Sequence, residues 1–281
     1  VIGCILIRAN GRAFCAGGDL SRIGGSKKSD SARDNQIFNE QGERIDVAFH
    51  GGTRGGVMVV LGHGVTGNKD RPLLVAVAEG LAAKGWPCIR ISFSGNGESE
   101  GRFEESTISK EVGDLRSVLL TVPQERRIAY IGHSMGAAVG VIKAARGIMI
   151  QALVSLAGMV HTADFLKREF GAVMPGKGNM WDEEGCPLSQ EFADDMENIG
   201  SLVETAAQVR QPWLLIHGEA DDVVPVRDSL NAFDAARCEK KLIKIPDAID
   251  DKTAAAMMLQ GVTGEYLINR TYAVKQGDWV L

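Results

Sequence analysis

No apolar run in this 281-residue sequence approaches the length that a bilayer-spanning helix needs, so no membrane partner is expected. An excess of basic charge is also missing. The net charge is −5 and the pI about 5.6, which argues against a nucleic-acid surface. Cysteine is sparse: Cys4, Cys15, Cys88, Cys186 and Cys238 lie without pair spacing. That fits free thiols in a reducing cytoplasm better than a disulfide frame or a zinc site. Val1 to Ala9 lacks the basic start of a signal peptide and runs into G-R-A-F-C rather than a cleavage site. The sequence starts without Met and stops at Leu281 inside an apolar run, so both ends are expected to be cuts. Histidine is scarce too, with five in the chain and none after His217.

What is present is ordinary for a globular protein: 44% hydrophobic and 24% charged residues, enough for one large α/β domain or two smaller ones. From about residue 34 to Pro246, strand-like and helix-like stretches alternate. Strands are expected at 44–49, 57–61, 88–93, 128–131, 152–156, 213–216 and 241–245. Helices are expected at 72–83, 107–120, from Met135 onward, and at 226–236. This alternation predicts an α/β fold with a mostly parallel sheet covered on both faces.

The centre of the sequence is R-I-A-Y-I-G-H-S-M-G-A-A-V-G-V-I-K-A-A, from Arg127 to Ala145. An apolar strand runs into Gly132-His133-Ser134-Met135-Gly136 and then into a helix-forming stretch. This is the strand–turn–helix setting in which G-x-S-x-G presents a nucleophilic serine, here Ser134. The N–H of Met135, at the start of the helix, is free to meet a developing oxyanion. Gly62-His63-Gly64-Val65 follows another strand, and the N–H of Val65 supplies a second donor, with His63 bracing the turn. The turn Phe93 to Gly101 is glycine-rich but lacks phosphate-loop spacing, so it predicts no nucleotide or other cofactor. His217 to Pro225 closes a buried strand with acids at its end. Asp221 is the expected residue that orients a base, with Asp222 as runner-up.

Together these motifs resemble the α/β-hydrolase superfamily, and within it the esterases that include cinnamoyl (feruloyl) esterases. The carrying stretches are H-G-V-T-G-N-K-D at 63–70, F-S-G-N-G-E-S-E-G at 93–101, G-H-S-M-G at 132–136 and H-G-E-A-D-D-V-V-P at 217–225. The resemblance implies an α/β-hydrolase domain over 34–246 and a lid insertion over about 159–210. It also implies an ester substrate and no metal. Ser92 stands where many relatives have Asp. At the ends, G-R-A-F-C-A-G-G-D-L after a strand, within residues 1–24, resembles the crotonase (enoyl-CoA hydratase) family. Residues 25–33 read as a linker. Residues 247–281 resemble the stretch of quinone oxidoreductases that leads into their nucleotide-binding domain, with a helix whose apolar face includes Ala255, Met258, Leu259, Val262 and Tyr266. A chimeric origin is expected from these ends.

In the resembling esterases the general base follows the last strand in a phrase like I-P-G-A-D-H. Here the phrase is I-P-D-A-I-D, with an acid, at about Asp250, in the histidine position. His161, at the start of the insertion, is the remaining substitute. The sequence therefore predicts a serine ester hydrolase acting on a small or aromatic acyl ester, with Ser134, Asp221 and His161 catalytic and with impaired turnover. The alternative is a non-catalytic hydrolase-like scaffold that binds acyl ligands. The only partner expected is the small-molecule ester, and a homo-oligomer is compatible with the sequence.

Overall fold

The computed structural model describes residues 36–246. The strand at 1–8, the linker and the helix read over 255–266 lie outside them. Within them, Ile37–Phe38 (β1) and Arg44–Ile45 (β2) form a short antiparallel pair. The main sheet has seven strands: Val47–His50 (β3), Val57–Gly62 (β4), Cys88–Ile91 (β5), Arg127–His133 (β6), Ala152–Leu156 (β7), Trp213–Gly218 (β8) and Lys240–Ile245 (β9). Their spatial order is β3-β5-β4-β6-β7-β8-β9. Only β3 runs antiparallel to its neighbour.

The inner strands are apolar on both sides because each side meets a layer of its own. Val57, Val59 and Leu61 of β4 share one cluster with Leu74, Val77 and Leu81 of the helix Pro72–Ala83 (α1). Met58 and Val60 point the other way, into the larger cluster. Three helices line that second face: Ile108–Thr121 (α2), Met135–Ala145 (α3) and Val226–Ala235 (α7). Local signals place the helix starts. Pro72 opens α1, where a missing N–H costs nothing. The Thr107 hydroxyl accepts from Lys110 N at 3.1 Å to cap α2.

One expected strand, 44–49, is broken in two. Asp46 interrupts it, because its N–H goes to Ser99 Oγ at 2.7 Å and its carbonyl accepts from Ser92 N at 2.9 Å. Arg44 and Ile45 are thereby freed to pair with Ile37–Phe38, a strand too short to show any alternation in sequence.

Between β7 and β8 the chain forms Thr162–Phe170 (α4), Gln190–Ile199 (α5) and Val203–Ala206 (α6). This insertion shares the main core rather than standing off it: Phe165, Phe170, Phe192 and Met196 belong to the larger cluster. Phe170 also meets Trp181 edge-on, with ring centroids 4.8 Å apart. The parallel strands β4, β5, β6, β7, β8 and β9 all end at one edge of the sheet, where ligands bind in open α/β sheets.

Candidate active site

Ser134 stands between β6 and α3 with φ 51° and ψ −116°. A non-glycine residue held there stores of the order of 1–3 kcal/mol of strain and persists only when its surroundings enforce it. They do. Ser134 N donates to Leu156 O at 3.0 Å, and Ser134 O accepts from Ala137 N at 3.0 Å and Met159 N at 3.2 Å. Tyr130, fully buried, donates its hydroxyl to Gly136 O at 2.9 Å and pins the first turn of α3. The flanking glycines are steric requirements. A Cβ on Gly132 would overlap the Gly136 carbonyl, and one on Gly136 would overlap the carbonyl of His63.

That last contact brings the second half of the site into place. Gly64 packs so closely on the serine that an added Cβ would lie 2.8 Å from Ser134 Cβ and 3.2 Å from its Oγ. Val65 follows directly. The backbone N–H groups of Val65 and Met135 donate to no acceptor among the described residues. Both residues line one pocket, and its empty space, open mouth included, is about 210 Å³. His63 is the brace its position suggested. Its Nδ1 pairs with Gly64 O at 2.8 Å, and its Nε2 accepts from Phe93 N at 3.0 Å. Burial pushes its pKa down to about 4, so it is neutral and ties β4 to the Phe93 turn.

Asp221 sits in the turn after β8. Its Oδ1 accepts from Val223 N at 3.1 Å and Val224 N at 2.8 Å. Its carboxylate lies near His133, the residue before Ser134, and partly offsets the downward push that burial gives that imidazole. His217 Nε2 is 3.7 Å from Asp221 Oδ2, which is too long for a hydrogen bond. Its two ring nitrogens are instead taken by Ser229 Oγ at 2.7 Å and Val224 O at 2.6 Å.

His161 is placed at the N-terminus of α4. Its Nδ1 pairs with Ser201 Oγ at 3.2 Å and its Nε2 with Asn231 Nδ2 at 2.9 Å, so both nitrogens are engaged by partners other than Ser134. His50, the remaining one, accepts from Arg90 Nε at 2.9 Å. All five histidines of the chain are thus placed, and no hydrogen bond joins any of them to Ser134 Oγ. The strand after which the resembling esterases carry their base does end beside Asp221's turn, where Glu219 N donates to Ile245 O at 2.9 Å. Asp250 itself lies outside the described residues.

Three acids escaped the sequence reading. Asp228, in the first turn of α7, accepts from Val160 N at 2.7 Å and His161 N at 3.0 Å and so anchors the base of the insertion. Replacing it with alanine (Asp228→Ala) strands two N–H groups beside a buried carboxyl site, at a cost of about 2–3 kcal/mol. Urea unfolding measures this, and a loss of less than about 0.5 kcal/mol, the range of a neutral surface substitution, would contradict it. Asp114 and Glu111, both on α2, are fully buried. With Ile108, Leu115 and Val118 they fall on the helix's inward stripe, and charge at stripe positions was the available signal. Asp114 accepts from Ser94 N at 2.8 Å, Ser94 Oγ at 2.6 Å and Asn39 Nδ2 at 2.8 Å. Burial raises its pKa, against the pull of those donors.

Among the described residues no three His, Cys, Asp or Glu side chains are grouped to hold a metal. No helix among them is long and apolar enough to cross a membrane.

Residues 57–190 match the family model described as the alpha/beta hydrolase fold. Human palmitoyl-protein thioesterase ABHD10, mitochondrial, is 29% identical over 173 residues, which is 57% of this chain and 55% of that protein. A quinone oxidoreductase from Pseudomonas aeruginosa is 32% identical over 109 residues, covering 37% of this chain and 30% of that protein. This partial match does not establish the chimeric origin read from the termini. The structure of Est1E from Butyrivibrio proteoclasticus with bound ferulic acid superposes with a TM-score of 0.63 at 23% identity, covering 75% of this chain and 88% of that one. The chain spans about half the length of the human thioesterase it matches.

Proposed function

We propose that this chain, which has the α/β-hydrolase fold, is an acyl hydrolase that uses Ser134 to take the acyl group of an ester or thioester. One observation carries the reading: Ser134 is held in a strained turn beside Gly64-Val65 and Met135, and the N–H groups of Val65 and Met135 donate to no acceptor among the described residues. In the reaction Ser134 Oγ bonds to the carbonyl carbon and passes its proton to solvent water, and the carbonyl oxygen takes on the negative charge between the N–H groups of Val65 and Met135. The carbon–leaving-group bond then breaks, with the electron pair going to the leaving group. Water next bonds through its oxygen to the acyl carbon, the bond from that carbon to Ser134 Oγ breaks, and Oγ takes back a proton as the free acid leaves. Asp221 has the position and the fixed carboxylate of a residue that orients a base. The insertion acts as the lid that shapes the acyl pocket, through Met180 and Phe192.

No histidine bonds to Ser134, and this narrows the substrate class. A leaving group that departs without a proton is favoured. Thiols ionise near pKa ~8.5 and phenols near ~10, far below an alkyl alcohol. Thioesters and aryl esters of small or aromatic acids should therefore turn over faster than alkyl esters. The names of the similar proteins, a palmitoyl-protein thioesterase and an esterase with ferulic acid bound, support acyl chemistry of this kind. The same absence favours a second reading, an acyl-binding scaffold with little turnover.

Hydrolysis of p-nitrophenyl butyrate by the wild type and by Ser134→Ala separates the two. Slow turnover that drops to the buffer rate in Ser134→Ala supports the hydrolase. Equal rates in both proteins leave the scaffold.

A further inference from the structure

The pocket beside Ser134 has an unexpected wall. Val65, Met135, Met180 and Phe192 give it apolar surface. Glu111 also lines it, with no exposed surface and with both carboxyl oxygens lacking any hydrogen-bond partner. A buried carboxyl with nothing to bond is costly, by the full desolvation penalty of the group. Among the described residues nothing compensates as a cation would. The charged and titratable groups that act on Glu111 are Asp114 on its own helix and Asp195 on α5, both acids, and it acts in turn on the Tyr130 phenol of β6. Burial and these two acids push its pKa well above the ordinary carboxylate range, so the neutral acid is the resident form. A neutral carboxyl offers one O–H donor and one carbonyl acceptor. Asn96 and Ser106 line the same pocket.

We propose that Glu111 reads the far end of the acyl group, and that the preferred acyl group is an apolar chain bearing an uncharged hydrogen-bonding substituent, a hydroxyl in the simplest case. The proposal rests on the reading of Ser134, Val65 and Met135 as the acyl-transfer site. A hydroxyl accepts from the Glu111 O–H and donates to its carbonyl oxygen, so both orphaned atoms are satisfied at once. A plain alkyl chain leaves them unpaired, and a site built to hydrogen-bond a substrate group discriminates strongly against the analogue lacking it. A cationic end fits less well, because burying a full charge in so narrow a space adds a desolvation cost. For a chain to enter, Met180 and Phe192 of the insertion must part from Met135.

The test is calorimetric binding of hexanamide, 5-hydroxyhexanamide, 6-hydroxyhexanamide and 6-aminohexanamide to the full chain at pH 7. These amides mimic the acyl half without needing turnover. In the wild type at least one hydroxyamide should bind about 10-fold more tightly than hexanamide. Glu111→Leu should abolish that preference and Glu111→Gln should keep part of it. Glu111→Leu should also raise the melting temperature by several degrees, since it removes an unpaired buried carboxyl. The proposal is overturned if no probe binds, if hexanamide binds as tightly as the hydroxyamides, or if the amine binds most tightly. It is equally overturned if the preference survives in Glu111→Leu, or if that variant melts lower, which marks Glu111 as a structural group. Repeating the titration with Ser134→Ala keeps the two readings apart. A hydroxyl preference in a protein without Ser134-dependent hydrolysis sinks the hydrolase and leaves the pocket.

Discussion

Asp250→His raises the rate of p-nitrophenyl butyrate hydrolysis by about 10³-fold or more. The chain has the strained serine, the free N–H pair of Val65 and Met135, and an acid at Asp221 whose Oδ1 is fixed by two N–H groups. No base among the described residues is bonded to Ser134 Oγ. Removing one triad member from a working serine hydrolase costs about 10⁴–10⁶ in turnover, while oxyanion hole and binding alone leave roughly 10³–10⁴ over water. Supplying the member should recover a large part of that difference. Position 250 is the one to change, because I-P-D-A-I-D from Ile245 to Asp250 occupies the place of the histidine-bearing phrase of the resembling esterases. Ile245 itself lies against the Asp221 turn, through Glu219. The gain should vanish in Asp250→His combined with Ser134→Ala, and should come with labelling of Ser134 by a fluorophosphonate. An Asp250→His protein that is no faster than the wild type and stays unlabelled would mean that position 250 cannot deliver a base to the serine.

Asp114→Ala destabilises the fold by about 3 kcal/mol. Its carboxylate joins three pieces of chain: α2, the turn that begins at Phe93, and the loop carrying Asn39 between β1 and β2. Alanine leaves the Ser94 N–H and the Asn39 amide without their acceptor in a fully buried place, and each such group costs about 1–3 kcal/mol. Thermal unfolding should show a fall of roughly 6–12 °C, from about 2–4 °C per kcal/mol in a domain of this size. A change below about 2 °C would show that Ser94 and Asn39 find other partners. The opposite sign expected for Glu111→Leu makes an internal contrast. The two acids sit one turn apart on α2 and are both fully buried, yet one holds three donors and the other holds none.

Much of the site was legible from residues alone. Turns that need glycine, a serine between them, a following helix and an acid at a strand end are local patterns, and local sterics decide them. The Gly132–Gly136 elbow and the His63 brace are such cases. So is the mostly parallel sheet, because strands buried on both faces show as short apolar runs between helices. Phe192, Met196, Ile199 and Val203 of the insertion stand at helical spacing, a pattern of core packing, and they do pack in or against the main core; the place of Phe165 there was not legible.

The sequence by itself determined that Ser134 would be lifted at the end of a strand and that no histidine follows His217, since both depend only on residue order and backbone sterics. The tertiary structure decided where the five histidines point. His161 was the remaining base by elimination, but its ring is held by Ser201 and Asn231, which lie 40 and 70 residues away in the chain. It also decided the fates of Asp114 and Glu111. An acid on the inward face of a helix can be satisfied or orphaned, and the difference lies in which distant backbone and side chains arrive opposite it. Such partners are fixed by packing across the whole sheet, and no window of sequence contains them.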